Sequence, residues 1–229
     1  MTRTTNARIA GFAFLFYIAV GVTQMVLGGA ISAPGTAARL ALMAEHASRV
    51  QVEILLTLLT SVTALTLAVA LYAITRDEDR DLATLALCCR VGEGMLGAIA
   101  PMITLGLLWL ATTTDVGTGV RDTPAVLVLA GLLRKLGGWN TITAAMLFAI
   151  GSTIFSWLLL RGRMIPRVLA WLGVAASVLL AVLLPLELAG LVSGLVTKTM
   201  WLPMAAFEIP LGLWLLVKGV APPTQRQPA

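Results

Sequence analysis

Three ionisable side chains stand inside otherwise apolar stretches of the sequence: Arg90, Glu93 and Glu208. Arg90 and Glu93 are spaced i, i+3, which on a helix puts both on one face. The three together carry one positive and two negative charges, so one acid is in excess. In a low-dielectric surrounding that acid has to hold a proton or attract a cation. A proton- or substrate-linked polar pocket is one reading of this set. A buried ion pair that fixes the register of neighbouring helices is the other. Glu53, Glu187 and Asn140 form a secondary polar set toward the outer ends of their segments.

Other chemistry finds little support. The chain has one histidine, His46, so haem ligation by two histidines and HExxH metal chemistry are excluded, and a Ser-His-Asp triad would rest on a loop residue. The two cysteines, Cys88 and Cys89, are adjacent and lack CxxC spacing, so zinc and thioredoxin-type readings fail. No catalytic residue, metal ligand or cofactor is assigned.

The elements that must position these residues follow from composition. The 229 residues are 59% hydrophobic and only 12% charged, where soluble domains are about 45–50% apolar and about 25% charged. A water-soluble globule could not hide so much apolar surface. Six segments are long and apolar enough to cross about 30 Å of hydrocarbon as helices. They are residues 9–30, 50–74, 82–111, 139–160, 166–191 and 200–219. The expectation is a single all-α polytopic membrane domain of six spans, with residues 220–229 a disordered tail. The six tryptophans agree, because Trp109, Trp139 and Trp201 mark one interface and Trp157, Trp171 and Trp214 the other.

The connections carry breakers. The run Arg76-Asp77-Glu78-Asp79-Arg80-Asp81 separates the second and third spans, and Gly137-Gly138 precedes the fourth. Residues 36–49 are expected to form a helix, capped by Thr36, that leads into the second span. Residues 124–136, capped by Asp122 or Thr123, are strongly apolar but reach only about 20 Å, too short to cross. They read as a short outer helix, interfacial or re-entrant. Gly190 and Gly194 form a GxxxG that reads as close helix packing.

With both termini on one side, that side carries Arg3, Arg8, Arg76, Arg80, Arg161, Arg163, Arg167, Lys218 and Arg226. The other carries Arg39, Arg49, Arg121, Arg134, Lys135 and Lys198. The larger set belongs in the cytoplasm, so both termini are expected inside, with the first span an uncleaved anchor too long for a signal-peptide core. No clustered basic face suggests nucleic acid. The partners implied are membrane lipids and a small-molecule or lipid ligand.

At ~1.5 Å per residue, Arg90 is about 12 Å and Glu93 about 16 Å from the inner edge, and Glu208 about 18 Å. The polar cluster is therefore expected near the midplane. The Arg90 face continues through Gly97, Pro101 and Thr104. Facing surfaces are Ala205, Glu208 and Gly212; Glu53, Thr57, Thr60, Ser61, Ala64 and Ala68; and Ala145, Ala149, Ser152 and Ser156.

Two stretches resemble a known family. One runs Arg161-Gly162-Arg163-Met164-Ile165-Pro166-Arg167-Val168-Leu169-Ala170-Trp171-Leu172-Gly173. The other is the C-terminal sequence from Leu202 and Pro203 through Glu208, Pro210 and Trp214 to Lys218-Gly219. With Ala7-Arg8-Ile9-Ala10-Gly11 and the Arg90…Glu93 pair, they resemble the bacterial membrane proteins grouped as domain of unknown function 4386. The resemblance implies a six-helix inner-membrane protein with Arg90, Glu93 and Glu208 in matching places, and no activity. At the entry to the fourth span the family is often more polar than Gly138-Trp139-Asn140. Two functional readings remain: a small-solute or lipid carrier, and a non-enzymatic structural, sensor or assembly module. An enzyme is the weakest, because no nucleophile–base set exists.

Overall fold

The computed structural model describes residues 2–113 and 123–221. These form helices α1 (Arg3–Ala30), α2 (Thr36–Glu45), α3 (Ala47–Thr75), α4 (Arg80–Thr113), α5 (Pro124–Arg161), α6 (Arg167–Leu188), α7 (Leu195–Thr199) and α8 (Leu202–Val217), with no strand among the described residues. Six helical stretches are long and apolar enough to cross a membrane: α1, α3, α4, α5, α6 and Leu195–Val217, which joins α7 to α8. The architecture is all-α and polytopic. Large apolar side chains on the exterior, such as Val168 at 84% exposure and Val128 at 73%, fit contact with lipid rather than water.

The helices divide into two compact units. The first comprises Met1–Ile18, Val62–Gly94 and Ile142–Ala229, and the second Ala19–Ser61 and Met95–Thr141. α1, α3, α4 and α5 each contribute to both.

The first unit is held by close backbone approach. In lipid, apolar helices gain little from leaving one hydrocarbon for another, so association depends on van der Waals fit and small residues. A methyl group on Gly11 of α1 would lie 2.5 Å from the Leu216 nitrogen and 2.6 Å from the Gly212 carbonyl of α8. One on Gly173 of α6 would lie 2.4 Å from the Phe207 ring, which brings α6 against α8. Leu158, Leu180, Leu184, Leu211 and Leu215 fill the spaces between. At one end of this unit Arg161 meets Glu78 at 3.1 Å and Asp79 at 3.4 Å, and Arg3 donates to the Met164 sulfur at 3.2 Å. Asp79 also caps α4 by accepting from the Leu82 N–H. The 76–80 and 161–166 connections and the N-terminus therefore share one end, as the alternation of spans requires.

Several sequence expectations need correction in detail. The short helix over 124–136 is present but not separate, because it runs through Gly137-Gly138 into α5 as one 38-residue helix. A glycine costs a helix only about 1 kcal/mol and removes no hydrogen bond, so two do not stop it. The expected cap Thr123 does precede it, its carbonyl accepting from the Leu127 N–H, whereas Asp122 lies outside the described residues. The 36–49 helix ends at Glu45, with His46 as C-cap, and its N-cap is Gly35 rather than Thr36. Gly190 and Gly194 are not on a helix. Both have positive φ, 75° and 73°, in the turn after α6, where L side chains are disfavoured, so their role is the turn and not helix packing. Residues 222–229 of the expected tail lie outside the described residues.

The Gly11 contact gives a direct test. Gly11→Val should lower the thermal midpoint of the detergent-purified protein, by the equivalent of about 1–3 kcal/mol or more. Gly21→Val, on the same helix with nothing within 4 Å of the added carbon, should leave it unchanged. Midpoints from fluorescence-detected size exclusion after heating make the comparison.

Candidate functional site

α4 presents Arg90 and Glu93 to the interior of the first unit, where they are 1% and 6% exposed. Arg90 Nη1 approaches Glu93 Oε2 at 2.7 Å. The guanidinium N–H bonds do not point along this line, so the contact is a close ion pair rather than a linear hydrogen bond. The Arg90 Cζ sits 4.7 Å from the centroid of the Phe148 ring of α5. That position is a cation–π contact, which supplies attraction without water. Room for the arginine stem comes from Gly151 one turn on, where a methyl would lie 2.9 Å from Arg90 Cγ. Tyr17 of α1 donates a long hydrogen bond, 3.4 Å, to Glu93 Oε1. The pair is thus enclosed by α1, α4 and α5.

Glu208 stands apart from that pair. It is 8% exposed, on the α8 face that carries Met204, Leu211 and Leu215. It lies in the electrostatic field of both Arg90 and Glu93. Among the described residues its carboxyl makes no hydrogen bond and no ion pair within 4 Å. It lines a small, partly open void with Phe14, Leu71, Ser152, Phe155, Ser156, Leu159, Phe207 and Leu211. The space open to the centre of a water molecule is about 10 Å³, which is about one water. The polar groups on its wall are the Glu208 carboxyl and the hydroxyls of Ser152 and Ser156. The expected cluster of three charges is therefore a tight pair with a separate carboxyl beside it. Of the predicted α5 face of Ala145, Ala149, Ser152 and Ser156, the two serines line this void, whereas the two alanines pack in the apolar core. On α8 the expected face holds at Glu208 and Gly212, which are buried, and shifts by one residue at its start, where Ala205 is exposed and Met204 is buried in its place.

The secondary set is dispersed. In the second unit Glu53 is half-buried beside Gly28 of α1, in the field of Arg39. Asn140 donates to the Leu96 carbonyl at 2.9 Å. Pro101, which has no N–H, leaves the neighbouring Gly97 carbonyl without its helical donor. Asn140 thus ties α5 to the α4 backbone one residue before that carbonyl. Glu187 occupies the last turn of α6, half-buried, in the first unit. The expected α4 face divides, since Arg90 and Glu93 belong to the first unit and Gly97, Pro101 and Thr104 to the second.

Sequence reasoning missed several members. Gln24 donates to Thr57 Oγ1 at 2.8 Å and accepts from Thr60 Oγ1 at 3.2 Å, tying α1 to α3. It and Tyr17 carried a signal, because each is a polar group within an apolar span. Phe148 and Gly151 carried none, being ordinary residues for such a helix.

The family model described as Domain of unknown function (DUF4386) matches residues 9–219. Searches of curated proteins and of solved structures find no match. The match takes in every span and all three charged residues of the site, and the chain belongs to the domain of unknown function 4386 family.

Proposed function

We propose that this protein is a proton-coupled carrier for a small solute in the bacterial cytoplasmic membrane, with Glu208 as the group that takes up and releases the proton. The observation that carries this reading is the setting of Glu208. It is nine-tenths buried, has no hydrogen-bond or ion-pair partner among the described residues, and faces a void of one-water size. An ionisable group kept at that depth without a partner is costly and is expected to serve a purpose. Arg90 and Glu93 neutralise one another beside it and act as the fixed element. The void does not admit a solute, so uptake of one requires the helices to move. Pro101, Pro185 and Pro210 interrupt α4, α6 and α8, which is where such helices bend. The larger number of basic residues on the side of the N-terminus supports a cytoplasmic location for that end. A second reading, a non-enzymatic structural, sensor or assembly module, is favoured by the 2.7 Å approach of Arg90 and Glu93 and by the small void.

Infrared difference spectra between acidic and alkaline buffer separate the two. Wild type should show a protonated-carboxyl band in acid that Glu208→Gln lacks and Glu187→Gln keeps. Unchanged spectra in Glu208→Gln would remove the proton site. In proteoliposomes holding a pH gradient and a trapped pH dye, one class from a panel of sugars, amino acids, organic cations and organic anions should collapse the gradient. It should do so for wild type and not for Glu208→Gln. A panel without effect favours the module reading.

The pair should behave differently from the lone carboxyl. Glu93→Gln leaves the Arg90 charge buried and unpaired, which costs about 3–5 kcal/mol. It should greatly reduce the yield of monodisperse protein, whereas Glu208→Gln should not. For orientation, a C-terminal green fluorescent protein fusion should fluoresce and a C-terminal alkaline phosphatase fusion should be inactive. The opposite pattern reverses the topology.

A further inference from the structure

Three polar groups of the first unit meet one void with their hydrogen-bonding capacity unused. Glu208 of α8 and Ser152 and Ser156 of α5 line it among apolar side chains. Ser156 is 2% exposed and Glu208 8%. Hydroxyls elsewhere in this unit turn back onto their own helices, as serine and threonine commonly do. Thr75 donates to the Leu71 carbonyl at 2.8 Å, Thr153 to the Ala149 carbonyl at 2.8 Å and Ser177 to the Gly173 carbonyl at 2.6 Å. Among the described residues Ser152 and Ser156 make no such bond. The Ser156 oxygen lies 2.8 Å from the point that a methyl on Gly173 would occupy, a point the Phe207 ring also approaches.

A hydroxyl or carboxyl buried without a partner costs free energy, and one occupant relieves all three. The space open to the centre of a water molecule is about 10 Å³, about the room one water takes. A buried water makes about three hydrogen bonds, and three unpartnered groups face this space. We propose that the void holds a single bound water, hydrogen-bonded to the Glu208 carboxyl and to the Ser152 and Ser156 hydroxyls. A water suits this position better than a fixed side chain. It accepts from the carboxyl when that group is protonated and donates to it when it is ionised. The serine hydroxyls rotate to match, since each both donates and accepts. Glu208 thereby keeps a partner in both states. The use of that water in proton exchange rests on the reading of Glu208 as the proton site, whereas the water itself rests on the void.

The test uses the full chain crystallised in lipidic mesophase, from sodium buffer and from choline buffer, at a resolution that shows ordered water. Wild type should show one density peak within hydrogen-bond distance of Glu208 and of both serines, in both buffers. Ser152→Ala combined with Ser156→Ala leaves a water one partner and should lose the peak. Ser177→Ala, whose hydroxyl is bonded within its own helix, should keep it. An empty void in wild type, a direct bond from Glu208 to a serine, or a peak that survives in the double variant overturns the proposal. A peak present only with sodium makes the occupant the ion and overturns it too. If the double variant does not purify as a monodisperse species, Ser152→Ala alone takes its place. Its protonated-carboxyl infrared band should then move upward, as for a carboxyl losing a hydrogen bond, and an unmoved band overturns the proposal. The peak does not depend on titration. A peak with no Glu208 band in the infrared spectra removes the proton reading and keeps the water, and a Glu208 band with no peak does the reverse.

Discussion

A guanidinium that is 1% exposed, as Arg90 is, has to be compensated where it stands, because its charge is shut away from solvent. The first unit is built around that constraint. Glu93 supplies the opposite charge from the same face of α4, one turn on. Phe148 supplies the negative face of its ring from α5. Gly151 gives up a side chain so that the aliphatic stem can lie flat against the helix. Tyr17 then closes the far oxygen of Glu93 from α1. Three helices are committed to one side chain. A slip in the register of α4 against α5 would keep the pair within α4 but take away the Phe148 ring and set another α5 residue against the arginine stem where only Gly151 leaves room.

That commitment explains why the rest of the unit can be held by so little polar chemistry. Once register is set, cohesion comes from the close approach of backbones at Gly11 and Gly212 and from the Phe207 ring against Gly173. These contacts depend on shape alone, which is the term left when helices exchange lipid neighbours for protein neighbours. Glu208 is the exception. Its carboxyl takes no part in the pair and faces a void with two serines, so it adds cost without evident structural return. The charge imbalance of the three side chains thus appears in the structure as one close pair and one carboxyl without a partner among the described residues.

The second unit solves the same problem by other means. Gln24 satisfies both ends of its amide on Thr57 and Thr60, and Asn140 supports the Leu96 carbonyl near Pro101. These are neutral groups paired with neutral groups.

The number of apolar helices was legible in the residues, because hydrocarbon leaves the backbone one solution and that solution needs about 20 apolar residues whatever surrounds it. The choice of Arg90, Glu93 and Glu208 was legible for the same reason: a charge inside such a run is improbable unless retained. Contact was not legible. Depth along a helix places Glu93 and Glu208 at one level, but rotation about the helix axis, set by packing against neighbours, decides which of them meets Arg90. The same limit applies to Gly137-Gly138, read as a break where α5 continues. It applies also to Gly190 and Gly194, read as a packing motif where the chain turns. A glycine permits a turn, a close approach or an unbroken helix at nearly equal cost, and neighbours distant in sequence select among them.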